Sequence, residues 1–80
     1  ALDCVSLAQW EIGVEFVVCG VSDEADEFLA YLGSVGLSMG GRAIVIERAP
    51  FDGPLLMGVG EERFALASEV AAKVLVKTAA

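Results

Sequence analysis

The stretch "GRAIVIERAPFDGPLLMGVGEERFAL", residues 41–66, decides how this chain is read. Its first part, 41–48, contains Ala43-Ile44-Val45-Ile46, the most strand-like run in the sequence. Two prolines and a glycine follow within residues 50–54. Proline restricts φ and glycine permits φ > 0, so 49–54 predicts a turn with Phe51 at its tip. "LLMGV" (55–59) and "RFAL" (63–66) read as two further strands. Gly60-Glu61 between them suits a tight hairpin.

Upstream, "SLAQWEIG" (6–13) reads as a lead-in turn that ends at Gly13, with Trp10 plugging one end of the core. "VEFVVCG" (14–20) combines β-branched and aromatic residues and stops at a glycine, so it predicts a strand. The period then changes. In "SDEADEFLAYLGSVG" (22–36), Ala25, Phe28, Leu29, Leu32 and Val35 fall on one helical face. Asp23 is placed to cap that helix, and Glu24, Asp26 and Glu27 suit the positive end of its dipole. Gly36 is placed to end it in a left-handed conformation, with Leu37 packing back.

Downstream, "ASEVAAK" (67–73) predicts one short helical turn with Ser68 as its cap, and "VLVK" (74–77) a closing strand. The expected fold is mainly β. It is a small five-stranded barrel, with one helix inserted after the first strand and a short helical turn before the last. Closure would leave no exposed strand edge. Eighty residues predict a single domain, 1–80.

Charge narrows the functions. Twelve acidic against five basic residues leave a formal charge of −7, which repels phosphate backbones. Direct nucleic-acid binding by this domain is therefore not expected. Residues 28–41 carry no charge but are too short and glycine-rich to span a bilayer, so no membrane insertion is expected. No basic stretch followed by an apolar run marks a signal peptide, and a cytoplasmic location is the expectation. Cys4 and Cys19 do not form a CxxC pair. A disulfide between them stays open, while a cytosolic chain would keep both reduced. Cys19 alternates with Val17 and reads as a small buried apolar residue.

Chemistry is sparse. The chain has no histidine, and so lacks the commonest general base and the commonest metal ligand. Its serines have no evident base partner, and its carboxylates cluster where a helix starts. An enzyme is not expected. "GSVGLSMGGR" (33–42) is glycine-rich without the spacing of a phosphate-binding loop. Glu24, Asp26 and Glu27 offer oxygen donors to a divalent cation, but three carboxylates in one turn do not complete a shell.

Beyond these local readings, "SLAQWEIGVEFVV" and "EFLAYLGSVGLSMGGRAIVIERAPFDGPLLMGVGEERFALASEVAAKVLV" together resemble the FeoA domain, over residues 6–77. The most specific parts are Leu29, Leu32, Gly36-Leu37 and Gly40, the turn from Ala49-Pro50 to Gly53-Pro54, and Phe64-Ala65-Leu66 with Val74-Leu75-Val76. The chain departs from the family where Pro-Gly is usual, at Ile12-Gly13 and Met39-Gly40, and lacks a usual basic residue after the Ala65-Leu66-Ala67 strand. The resemblance implies an SH3-like barrel and one of two roles.

The first role is the C-terminal regulatory domain of an iron- or manganese-dependent repressor of the diphtheria toxin repressor family. There the partners are the repressor's other domains. An ancillary Fe2+ or Mn2+ would be ligated by side chains just before the helix, which here are Glu24 and Glu27. The second role is free-standing FeoA, a cytoplasmic accessory of the ferrous iron transporter FeoB. An SH3-like barrel then offers a groove to a partner, with Phe51, Leu55, Leu56 and Trp10 as contacts. "ERAPFDGPL" is more like the repressor-attached domains, because free-standing members more often carry Gly-Asp at Asp52-Gly53. The repressor domain is thus the first expectation and free-standing FeoA the alternative.

Overall fold

The computed structural model describes residues 4–79. The strands are β1 (Val5–Ser6), β2 (Phe16–Val21), β3 (Arg42–Arg48), β4 (Leu55–Val59), β5 (Glu62–Leu66) and β6 (Val74–Thr78). The helices are α1 (Asp26–Ser34) and α2 (Ser68–Ala71), and a 3-10 turn covers Leu7–Gln9. The strands join in the order β1-β6-β2-β3-β4-β5, all antiparallel.

Two bulges bend this sheet. The register between β2 and β6 shifts at Cys19, and that between β3 and β4 shifts at Ile46. An extra residue on one strand increases local twist and turns the strand. The result is the expected mainly-β, SH3-like barrel, with near-equal extents of 28 × 27 × 26 Å. Among the described residues, however, β1 and β5 end the sheet without pairing to each other, so the expected removal of strand edges by closure is not met. Alternate residues point inward, and Phe16, Val18, Val45, Met57, Leu66 and Val76 form much of the core. Burying each such side chain stabilises the fold by about 1.5–3 kcal/mol. Among the described residues no polar or charged residue is fully buried.

Several expectations need correction. The sheet has six strands rather than five, because Val5–Ser6 adds to β6. Two residues carry no readable alternation, so sequence patterning missed them. The helix starts at Asp26, not near residue 22, and its N-cap is Ala25 with no side-chain cap. Asp23 instead accepts the Ala25 N–H at 2.9 Å and pairs with Lys73 at 3.1 Å. Ala25 and Leu29 lie toward solvent, the latter 40% exposed, so the buried line is Phe28, Leu32 and Val35. Ser68 is the first residue of α2 rather than its cap, which is Ala67.

The helix stop is as expected. Gly36 takes φ +82°, and the Leu37 N–H donates to the Leu32 carbonyl at 2.8 Å. Leu37 is fully buried, which completes a Schellman motif. Trp10 packs edge-on against Phe16 at 6.3 Å, and its Nε1 donates to the Val14 carbonyl at 2.8 Å.

The cysteines are paired, which is the alternative that the sequence left open beside the two reduced thiols of a cytosolic chain. β6 lies between β1 and β2, and the Cys4–Cys19 disulfide reaches across it over a sequence separation of 15. Cys19 is half-buried at its bulge, not a core residue.

Candidate functional site

The β3–β4 hairpin narrows to a two-residue tip. Arg48 pairs with Leu55, and the Ala49 N–H donates to the Pro54 carbonyl at 3.1 Å. The Gly53 N–H then closes on the Pro50 carbonyl at 3.1 Å, leaving Phe51 and Asp52 at the end. Both have positive φ, +58° and +56°, as in a type I′ turn. This corrects a detail of the sequence reading, in which glycine takes the unusual conformation. Gly53 is needed for room instead, since a Cβ there would lie 2.7 Å from the Ala49 Cβ.

Asparagine, aspartate and glycine suit such positions, whereas a bulky aromatic in the left-handed region is an outlier that costs roughly 1–2 kcal/mol. The cost is unrelieved within the described residues, because the Phe51 side chain is 100% exposed. Hydrogen bonds nonetheless hold the tip. The Ser68 hydroxyl donates to the Asp52 carbonyl at 2.8 Å, tethering the turn to α2. A groove of about 490 Å³ runs beside it, lined by Ala8, Asp52, Ser68, Glu69 and Ala72. The Ser68 tether had no signal in the sequence, where that serine resembles a helix cap.

The other expected contacts are dispersed. Leu55 is 2% exposed and belongs to the core, so it presents no surface to a partner. Leu56 is half-buried opposite Ala65 on the neighbouring strand. Trp10 lines a different cleft of about 280 Å³ with Val5, Gln9, Glu11, Val14 and Thr78. Neither Phe51 nor Leu56 borders that cleft.

Glu24 precedes α1 and Glu27 lies in its first turn, both exposed to solvent. Among the described residues, no three His, Cys, Asp or Glu side chains gather into a metal-binding group. A metal at Glu24 and Glu27 would need donors from another domain or from water. The nearby Asp23 carboxyl is held below its ordinary value of 3.8, first by the Ala25 N–H and then by Lys73. Lys73 also lies 5.6 Å from the centroid of the Phe28 ring. No helix among the described residues is long and apolar enough to cross a membrane.

Residues 5–78 match the model of the FeoA domain. The chain belongs to the FeoA domain family. Among solved structures, an iron uptake regulatory protein (FeoA) is 29% identical, with a TM-score of 0.82. That match covers 95% of this chain and 97% of that one. A FeoA-like protein from Clostridium acetobutylicum superposes with a TM-score of 0.82 at 19% identity, covering 100% of this chain and 92% of that one. A manganese-dependent transcriptional repressor gives a TM-score of 0.84 at 24% identity, covering 98% of this chain and 43% of the repressor. At such identities the last two establish the fold alone. No curated protein matches the chain. The structures similar to this chain thus include both a protein that it matches over nearly its full length and a longer repressor of which it matches one part.

Proposed function

We propose that this FeoA domain is a non-catalytic accessory of ferrous iron uptake, acting through contacts with a membrane transporter of the FeoB kind. The observation that carries this reading is the 29% identity to an iron uptake regulatory protein over nearly the full length of both chains. The repressor likeness, at 24% identity, supports the fold without the role. The acidic surface fits a partner protein better than a nucleic acid. The test is ferrous iron uptake in iron-limited source cells lacking the gene. Uptake should fall and return with the wild-type gene. Unchanged uptake, together with altered expression of metal-responsive genes, would overturn the reading.

A second reading keeps the domain as the C-terminal regulatory part of an iron- or manganese-dependent repressor. Its support is Glu24 and Glu27, placed at the entry to α1 and free of core packing. In that setting they would help ligate an ancillary Fe2+ or Mn2+. Replacing both by Ala should then weaken metal-activated DNA binding of the intact protein in a metal-titrated gel shift. Unchanged affinity would remove the ancillary site.

A further inference from the structure

We infer that the Pro50–Gly53 tip is a preorganised plug, which inserts the Phe51 ring into an apolar pocket rimmed by basic side chains on a partner protein. The class of partner stands on the geometry and charge of the tip. Its identity as the iron transporter rests on the proposed function.

Three observations converge on this turn. Phe51 is 100% exposed and has positive φ, so the chain tolerates both an unburied ring and an unfavourable backbone at one position. Strain of this kind persists where surrounding structure over-determines it, and it clusters at functional positions. The turn is held by the Pro50–Gly53 and Ala49–Pro54 hydrogen bonds and by the Ser68 hydroxyl on the Asp52 carbonyl. A ring presented on a rigid hairpin loses little freedom on docking, which favours its use as an anchor.

Charge selects the occupant. Asp52, which follows Phe51 in the turn, and Glu69 line one groove, and neither belongs to an ion pair among the described residues. A second copy of this chain would bring another formal charge of −7 to the contact, which opposes self-association. An anionic lipid surface is disfavoured for the same reason. A pocket whose floor is apolar and whose rim carries Lys or Arg satisfies both the ring and the carboxylates.

The experiment replaces Phe51 by p-benzoylphenylalanine in the whole gene product and irradiates the source cells. The same photoprobe at Met39, which is 66% exposed, is the control. Mass spectrometry then maps the peptide that is captured. The expected result is a heterologous adduct, specific to position 51, on an apolar segment flanked by Lys or Arg. With that partner purified, Phe51→Asn should weaken binding at least tenfold and raise the Tm of this chain by about 5 °C, because Asn suits the left-handed turn. An adduct on the transporter's cytoplasmic domain supports this inference and the iron-uptake reading together. An adduct of the same chemistry on another protein supports the plug and removes the transporter as its partner. No adduct, one of twice the chain's own mass, one on lipid, or equal capture from position 39 overturns the inference. So does unchanged affinity in Phe51→Asn.

Discussion

The Ser68 hydroxyl donates to the Asp52 carbonyl at 2.8 Å, joining the first residue of α2 to the β3–β4 turn. Two elements distant in sequence are thereby locked at the turn that carries the fully exposed Phe51 ring. Ser68→Ala removes the donor and leaves an exposed carbonyl that water can reach. Stability should fall by about 0.5–1.5 kcal/mol. Hydrogen exchange should accelerate at the Gly53 amide more than at the Met57 amide in β4. Equal acceleration at both would mean that the bond does not tether the turn.

Room for the turn depends on Gly53. Gly53→Ala should cost about 1–3 kcal/mol, because its Cβ would overlap that of Ala49. Ala49→Gly in the same chain should recover part of the loss, since it removes that overlap. Denaturant unfolding of the two single variants and the double variant measures the coupling. Strict additivity would show that the overlap is not the cause.

The Cys4–Cys19 bond should stabilise the oxidised chain. Closing a loop of 15 residues contributes about 3 kcal/mol in the chain-entropy model. Reduction by dithiothreitol should lower the Tm of wild type, while Cys4→Ser should start lower and not respond. A wild-type Tm insensitive to the reductant would show that the bond adds nothing to stability.

Acid should weaken the Asp23 linkage in a defined direction. Its folded-state carboxyl titrates below the ordinary value of 3.8, chiefly through the Ala25 N–H and then through Lys73. A depressed folded value contributes stability above the unfolded one and loses it as pH falls through the folded one. Asp23→Asn should therefore lower Tm at neutral pH. The gap from wild type should close as pH drops below 3.8. A gap independent of pH would assign the effect to packing instead of charge.

Much of the fold was legible in short segments. The strand at Leu55–Val59 falls where its apolar run predicts, and β3, β5 and β6 differ from expectation by one residue at an end. The Gly36-Leu37 helix stop was readable because its geometry involves only neighbouring residues. The helix start was less so, since Asp23 had two uses, capping and the turn it actually makes with Ala25. Of the candidate contacts, Phe51 was rightly placed at a tip, but Leu55 and Leu56 look alike in sequence while only Leu55 enters the core.

The order of strands and turns, the acidic surface and the family likeness were determined by the sequence alone, because periodicity, charge and turn residues act locally. The pairing of Val5 with Val76, the meeting of Cys4 and Cys19 across β6, and the burial of Leu55 were decided by tertiary structure. So was the assignment of positive φ to Phe51 and Asp52, with Gly53 kept for close approach. Each of these depends on which distant segment lies alongside. Only the curled sheet, bent at Cys19 and Ile46, brings those segments together.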